Sequence, residues 1–404
     1  YQGLAAFKPE HARFFFGRER EIREVMDDLD ALVEKKLPRF LVVSGASGTG
    51  KSSMVLGGVI PRWKSAARDG GFAFFSVTPG ASPEEALAKV RARLEIVGDV
   101  SRRFVVVVDQ FEEVFTHRDP AGATALVRGL WALASEPDSP VCVIATLRVD
   151  FLARCNEIIV EDTGLRFDKV ACDPAHQVLV AQMSPEQLRE TIEKPAEAAG
   201  ITLEAGLADT VIRDVEAAPG ALPLMSHALY LLWKSREGNA LTLAAYKALG
   251  SVQGALDAHA EEQLKALPDD TSRAVARRLM VSLVHAGTAG APDTRRRRDV
   301  SELRAMFGSQ SERFEAVLGR FVAARLLVTG GGEGGAETVE VAHEALVRSW
   351  KRFKGWIDED RVKLAQLAQV ELWVREWKAR PDALLGDSQL GYVAEVEKAH
   401  ADEL

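Results

Sequence analysis

The sequence is poor in cysteine and lacks long apolar runs. Its 404 residues include three cysteines, Cys142, Cys155 and Cys172, which are widely spaced and match no metal-ligand pattern. Such a sparse, odd set excludes a disulfide framework and is typical of a reducing compartment. Apolar runs such as the four valines at 105–108 have only the length of a strand. Because no membrane span and no secretion signal are recognisable, we expect a cytoplasmic protein without a membrane partner.

A large charge excess is also missing. The formal net charge is -8, and 27% of the residues are charged. This balance gives no general attraction to nucleic acid or to anionic membranes, so we expect no nucleic-acid partner. The length exceeds what one hydrophobic core organises, and two to four units are expected. Because the chain starts at Tyr1 rather than at methionine, we expect it to be a piece of a longer protein.

Residues 1–178 alternate short apolar runs with helical stretches. The runs are too apolar for half-exposed strands and too short for independent helices, so they predict buried strands. Strand and helix alternate, which predicts a parallel sheet covered by helices on both faces. The predicted strands are 39–45, 72–77, 103–109 and 141–147, and the predicted helices are 51–66, 83–96 and 119–135.

The pattern changes after this first segment. Residues 179–250 predict a helical domain without strands, which opens with Ser184 as an N-cap. Residues 251–355 contain helices followed by two β segments joined by a glycine-rich loop, and three helices with a hairpin predict a winged-helix domain. Residues 356–404 predict a helical connector toward a sensor region outside this chain. The expected fold class is therefore multi-domain α/β + α, with a P-loop parallel-sheet domain first.

The stretch GASGTGKSS carries the strongest chemical signal. Gly45 is followed by four residues and then by Gly50, Lys51 and Ser52, which is the G-x-x-x-x-G-K-S phosphate loop. Its backbone N–H groups cradle phosphates, the lysine reaches the β- and γ-phosphates, and the serine hydroxyl holds Mg²⁺. The strand before it and the helix after it are the required context. We expect ATP or ADP to contact Gly45, Ser47, Gly48, Thr49, Gly50, Lys51, Ser52 and Ser53.

Acidic and basic residues follow two of the predicted strands. Asp109 ends an apolar strand, where a carboxylate holds Mg²⁺ beside a phosphate loop. Glu112 or Glu113 could orient the attacking water, or both could merely charge a surface turn. Arg148, at the end of another strand, could sense the γ-phosphate, or it could be an exposed strand-end arginine. With Lys51, these four residues are the candidate catalytic set.

The whole chain resembles the STAND class of signal-transduction ATPases, and more narrowly the bacterial novel STAND NTPases that often carry WD40 or similar repeats. The phrases that carry the resemblance occur almost from end to end and in family order. They are YQGLAAF, RFFFGRERE, GASGTGKSS, VVVVDQFEEVF, ATLRVDFLARC, GALPLMSHALYLLW, LTLAAYKALGSVQGALDAHAEE, ARLLVTG and VAHEALVRSWKRFKGWI.

The resemblance implies further nucleotide contacts. Phe16, Gly17 and Arg18 lie in the segment that borders adenine in the family. Pro223 matches the proline placed against the base, although a proline also suits the first turn of any helix. His343 matches the winged-helix histidine that touches the β-phosphate of ADP. From the residues alone, a single histidine between a strand and a helix predicts packing or capping instead.

The resemblance also implies a function. The chain is expected to be a slow ATPase that acts mainly as a switch: ADP holds it closed, and ATP exchange opens it, lets it self-associate and activates an attached effector. The effector and the sensor would lie outside residues 1–404, and bacterial signalling or defence is the expected setting. One alternative is a transcription regulator whose winged helix binds DNA through Arg295 to Arg298. Another is a scaffold that binds nucleotide without hydrolysing it.

Overall fold

In this computed structural model the chain divides into two compact units. The first comprises Tyr1–Ala255 and Gly330–Ala336, and the second comprises Leu256–Thr329 and Glu337–Leu404. The residues that the structure describes are 1–3, 5–67, 71–79, 83–97, 103–115, 120–137, 139–216, 222–236, 238–287, 293–331, 337–342, 346–347, 350–379 and 385–400.

The first unit is built on seven strands and ten α-helices within the described ranges, and an eleventh α-helix begins in it. The strands are β1 Phe40–Gly45, β2 Phe72–Val77, β3 Arg103–Val108, β4 Val141–Arg148, β5 Gln177–Leu179, β6 Thr202–Leu203 and β7 Ala240–Leu241. The helices are α1 Glu19–Glu34, α2 Lys51–Ser53, α3 Ile60–Ala66, α4 Pro83–Val97, α5 Pro120–Ser135, α6 Phe167–Ala171, α7 Pro185–Ala198, α8 Leu207–Glu216, α9 Leu222–Lys234, α10 Leu243–Ala248 and α11 Ser251–Lys265.

A parallel sheet of order β2-β3-β4-β1-β5 organises this unit. Because side chains alternate along each strand, each strand contributes residues to both faces of the sheet. Phe40 and Val42 of β1 pack into the core that contains residues of α4 and α5. Leu41 and Val43 pack into the opposite core, which contains residues of α1 and α3. The parallel sheet and its four predicted strands are thus confirmed. β1, β3 and β4 are apolar because both of their faces are buried, whereas β2 is only partly buried.

Three features of the first unit differ from the prediction. The sheet has a fifth strand, β5, which pairs with β1. The predicted helix 51–66 is interrupted by a π-helical segment, Met54–Val59, between α2 and α3. Residues 179–250, expected to be without strands, contain β6 and β7, which pair with each other in parallel. Each of these two strands has two residues, which is too short for a period to be recognised.

The second unit contains five strands and six helices in its described part. The strands are β8 Val284–His285, β9 Thr294–Arg295, β10 Arg298–Asp299, β11 Leu327–Gly331 and β12 Glu337–Val341. The helices that follow α11 are α12 Asp270–Ser282, α13 Val300–Phe307, α14 Ser311–Ala323, α15 Lys351–Glu359, α16 Arg361–Ala379 and α17 Asp387–His400.

A second, smaller sheet has the order β10-β12-β11. The two strands of the predicted hairpin are therefore neighbours, and β10 adds to them as a strand that the sequence does not predict. Helix α12 ends at Ser282, and the strand β8 that follows it pairs with β9; the sequence predicts neither of these two strands. The expected long connector helix is divided at Asp360 into α15 and α16. Among the described residues, no helix combines the length and the apolar character needed to cross a membrane.

Candidate nucleotide-binding site

The strand register brings the predicted site residues to one edge of the sheet. Gly45, the last residue of β1, is level with Arg148, the last residue of β4. Val108 of β3 is level with Ala145 of β4, so Asp109 follows β3 beside Thr146. In a parallel sheet, the carboxyl ends of the strands and the loops after them share this edge.

Asp109 is the centre of a hydroxyl–carboxylate cluster. Its Oδ1 accepts hydrogen bonds from the Ser52 hydroxyl at 2.5 Å and from the Thr146 hydroxyl at 2.6 Å. Gln110, the next residue, has a positive φ of 55° and donates its backbone N–H to the Thr146 hydroxyl at 3.1 Å. A left-handed conformation costs a non-glycine residue about 1–2 kcal/mol. The turn after β3 is therefore held in a strained geometry that keeps the carboxylate at the phosphate loop.

The phosphate loop has a backbone that depends on its glycines. Gly48 and Gly50 have φ values of 79° and 88°, which glycine adopts without strain. A methyl group added to Gly45 would lie 2.5 Å from the carbonyl oxygen of Val180, so this glycine allows a close backbone approach. Lys51 is 9% exposed, and its Nζ donates to the carbonyl oxygens of Gly45 and Ala46 at 2.9 Å. Burial lowers the pKa of Lys51, while the nearby carboxylate of Glu112 opposes that shift.

Glu112 and Arg148 complete the charged part of the site. The backbone N–H of Arg148 donates to Glu112 Oε2 at 3.3 Å, and the guanidinium of Arg148 holds Asp150 at 2.7 Å. Burial raises the pKa of Glu112, and the cations of Lys51 and Arg148 offset part of that shift. Glu113 is in the same 3₁₀-helix, Phe111–Phe115, and is also partly buried. The structure thus brings Lys51, Asp109, Glu112 and Arg148 together around the end of β1.

A buried arginine connects the phosphate loop to its surroundings. Arg18, 1% exposed, donates to the backbone carbonyls of Thr49 at 2.9 Å and Ala181 at 2.8 Å. The same guanidinium pairs with Glu21 at 2.9 Å. Glu21 also accepts hydrogen bonds from Gln187 in the first turn of α7. Burial lowers the pKa of Arg18, and the carboxylate of Glu21 counters that shift.

The remaining predicted contacts surround this core. Phe16 offers its carbonyl oxygen to Thr191 of α7 at 3.1 Å. Ser53 accepts a hydrogen bond from the backbone N–H of Phe7 at 3.1 Å, and Ser47 is exposed at the loop. Pro223 is the second residue of α9.

The residue before Pro223 shows where the start of α9 lies. A methyl group added to Gly50 would lie 3.5 Å from Cδ2 of Leu222. The start of α9 therefore lies beside the phosphate loop. His343 lies outside the described residues.

The donor set fits the expected magnesium and nucleotide. Hydroxyl and carboxylate oxygens are the ligands that Mg²⁺ prefers, and Ser52 and Asp109 present them within hydrogen-bonding distance of each other. Positive-φ glycines beside a buried lysine form a cradle for phosphate oxygens. Within the described ranges, no cluster of three or more His, Cys, Asp or Glu side chains forms a separate metal site.

Several residues of this site were not predicted from the sequence. Thr146 has a recognisable signal, because it is a hydroxyl residue within the otherwise apolar end of β4. Glu21 and Gln187 have none, because charged and amide side chains on helices are usually exposed. Only the fold shows that they meet at Arg18.

A parallel sheet with a phosphate loop after β1 and a magnesium-type carboxylate after β3 defines a P-loop NTPase. The comparison with protein families agrees: residues 1–383 match the family described as Novel STAND NTPase 1, and the chain belongs to it. The protein is thus a nucleotide-binding NTPase with an NTP-hydrolysing fold and site. Among curated proteins, none matches the chain.

The solved structures that match this chain are distant from it in sequence. A Walker-type ATPase of Pyrococcus abyssi has 13% identity and a TM-score of 0.44, covering 86% of this chain and 98% of that chain. The ORC2 protein of Aeropyrum pernix, solved in ADPNP–ADP complexes, has 14% identity and a TM-score of 0.42 over 85% and 95% of the two chains. A RuvB point variant of Thermotoga maritima has 13% identity and a TM-score of 0.39 over 85% and 97%.

Proposed function

We propose that this chain is the ATP/ADP-dependent core of a signal-transduction switch. In this proposal ADP and Mg²⁺ hold the chain closed, and exchange for ATP opens it, promotes self-association and activates an effector outside the chain. Hydrolysis is slow and returns the switch to its ADP state. The protein would act in the cytoplasm, in bacterial signalling or defence.

One observation carries the proposal: Arg18 and Glu21 link the phosphate loop to α7, a helix outside the sheet, through a chain of hydrogen bonds. Arg18 binds the carbonyl oxygen of Thr49 in the loop and pairs with Glu21, which binds Gln187 of α7. A shift of the loop on nucleotide exchange would have to move or break this buried network. A buried guanidinium that loses the Thr49 carbonyl is left with an unsatisfied donor, which is costly. The nucleotide state would therefore be transmitted to α7, as a switch requires.

The environment of Glu112 supports a role as the base that orients the attacking water. A general base works best when its pKa approaches the operating pH. Burial raises the pKa of Glu112 in that direction. The bound Mg²⁺ would neutralise charge on the phosphates, while Lys51 and Arg148 would hold the γ-phosphate oxygens and Glu112 the water. Glu113 remains the second candidate for that water.

The element order of the second unit supports the proposed winged-helix domain. Helix α12, the short strands β8 and β9, strand β10, helices α13 and α14, and strands β11 and β12 follow one another, and β10, β12 and β11 form one sheet. In the proposed domain order, a helical domain precedes this one and a connector follows it. His343 would follow β12 and contact the β-phosphate of ADP from this domain.

The DNA-binding alternative receives no specific support from the described contacts. It depends on Arg295 to Arg298 being available to phosphates of the backbone. Arg297 is instead paired with Glu340 at 3.0 Å, and Arg298 lies 3.7 Å from Glu302. Because these carboxylates already neutralise part of the arginine charge, we favour the switch.

The Lys51→Ala variant tests the proposal. We expect it to lose bound ADP and any ATP-dependent change in mass, because the buried ammonium is the main cation facing the phosphates. Nucleotide content is measured after purification, and mass by light scattering in ADP and in ATP. Lys64→Ala is the matched control, because Lys64 is an exposed lysine of α3. Identical mass and conformation of the parent chain in ADP and ATP would contradict the switch, and absent single-turnover phosphate release would favour the scaffold.

A further inference from the structure

The second unit contains a cavity of about 240 Å³ with a basic wall. Three segments line it: α12, the chain around β10, and the turn that begins α16. Among the lining residues that the structure describes, one is a carboxylate, Asp360. Five are cationic and partly buried: Arg277, Arg278, Arg296, Arg298 and Lys363. No role in nucleotide binding or hydrolysis at the phosphate loop explains this concentration.

Helical periodicity explains the contribution of α12. Ala274, Arg277, Arg278, Val281 and Ser282 recur at the spacing that places residues on one face of a helix, and all five line the cavity. Arg277 and Arg278 therefore project from one face of α12, with the buried Val281 between them around the helix.

The four-arginine run 295–298 contributes by alternation. Side chains of an extended chain point alternately to opposite sides. Arg296 and Arg298 line the cavity, whereas Arg297 between them is exposed and pairs with Glu340 at 3.0 Å. The backbone N–H of Arg296 donates to the carbonyl oxygen of Leu283 at 2.8 Å, which ties the run to the end of α12.

Contacts at the rim hold the guanidinium groups in place. Arg277 pairs with Glu359 at 2.8 Å and Asp360 at 3.2 Å. The guanidinium of Arg278 lies over the ring of Phe307, 5.2 Å from its centroid. Arg298 lies 3.7 Å from Glu302. These rim carboxylates position the arginines at the cavity, and a phosphate in it would be within reach of cations from several sides.

We propose that the cavity binds a small phosphorylated molecule. Arginine forks match the several oxygens of a phosphate group better than a carboxylate with two. The buried side chains of Leu364 and Leu367 offer an apolar wall for the rest of the molecule. The volume lies below the ~300–1,000 Å³ of drug-sized pockets, which favours a ligand no larger than a sugar phosphate. Its binding would join α12 to α16.

Calorimetric titration of the full chain tests this proposal. The chain is first saturated with ADP and Mg²⁺, so that the phosphate loop is filled, and is then titrated with ribose 5-phosphate and, separately, with inorganic phosphate. We expect one ribose 5-phosphate per chain, bound more tightly than inorganic phosphate because of the apolar wall. The double variant Arg296→Gln, Arg298→Gln should weaken binding at least ~10-fold, because two charge-assisted contacts are lost.

Arg297→Gln is the matched control. It removes the same charge from the same run, but its side chain is paired with Glu340 away from the cavity, so affinity should change less than ~2-fold. If the double variant does not fold, Lys363→Gln, at a partly buried position of α16 that lines the cavity, provides a second test with the same expected direction. An equal loss in Arg297→Gln would overturn the proposal, since only net charge would matter. Absence of ribose 5-phosphate binding would overturn it, and double-stranded DNA bound through Arg296 and Arg298 would replace it.

Discussion

The carboxylate of Asp109 shows how much of the site follows from single residues. Its position after an apolar strand predicts a place beside the phosphate loop, and the Ser52 hydroxyl lies 2.5 Å from it. The burial of Arg18 could not be predicted, because a charged residue in GRERE is usually exposed. The spacing of nearby residues predicts which side chains follow a strand. It cannot predict the partners of Arg18, which are up to 163 residues away along the chain.

Glu112 is the residue for which the structure makes the sharpest catalytic prediction. We expect Glu112→Gln to lower single-turnover ATP hydrolysis at least ~100-fold with ADP affinity nearly unchanged, since an amide cannot deprotonate water. In the parent chain the acidic limb of the pH–rate profile should lie above the usual range of a glutamate, because burial raises the pKa of Glu112. The rate should fall as the pH decreases through that raised pKa.

The stability of the same variant separates a catalytic from a structural role. A raised pKa means that the folded chain holds a proton on Glu112 at a pH where the unfolded chain has released it. Ionisation of Glu112 above that pH therefore lowers the free energy of unfolding. Glu112→Gln removes this penalty and should not lower the denaturation midpoint. Glu113→Gln is the control, and a larger loss of hydrolysis in that variant would transfer the role to Glu113.

At the scale of elements, hydrophobic periodicity predicts the mainly apolar strands and little else. β1, β3 and β4 are mainly apolar and buried, whereas β2 is mainly apolar but only partly buried. β5 is not an apolar run, because it has three residues, of which Val178 is buried and Leu179 is exposed. The π-helical segment Met54–Val59 could not be predicted either, since it depends on packing. A methyl group on Gly57 would lie 2.7 Å from Phe7 Cβ.

The close packing of the chain before α1 against α7 depends on Gly17. Its φ is 86°, and an added methyl group would lie 2.6 Å from the carbonyl oxygen of Gln187 and against the hydroxyl of Thr191. We expect Gly17→Ala to lower the free energy of unfolding by at least ~3 kcal/mol, the sum of left-handed strain and overpacking. Guanidinium unfolding followed by tryptophan fluorescence measures it.

Gly164→Ala isolates the contribution of the backbone. Gly164 has a φ of 88°, and its added methyl group would meet nothing within 4 Å. This control should cost about 1–2 kcal/mol, the left-handed strain alone. Equal losses in the two variants would mean that the close approach of Gly17 to α7 adds nothing to stability.

At the scale of the whole molecule, each of the two units contains its own cluster of charged residues. The first unit holds the phosphate loop and its charged partners, and the second contains a helix–sheet arrangement with a basic cavity. Family membership explains why both occur in one chain, since the family match extends over residues 1–383. The sequence predicts the order of these parts through motifs that span the chain. It does not predict the cavity, which forms where one face of α12 lies beside the alternating side chains of the arginine run before and in β10.

The switch proposal makes its decisive prediction at this scale, through His343. An imidazole N–H that donates to the β-phosphate would help to retain ADP, since hydrogen bonds to charged groups contribute about 1.5–3 kcal/mol. His343→Ala should therefore speed ADP release at least ~10-fold and raise the oligomeric fraction in ATP. Stopped-flow displacement of a fluorescent ADP analogue and light scattering measure the two effects. His285→Ala, which removes an exposed histidine of the second unit, is the control; unchanged ADP release and size distribution in His343→Ala would show that this histidine serves packing alone.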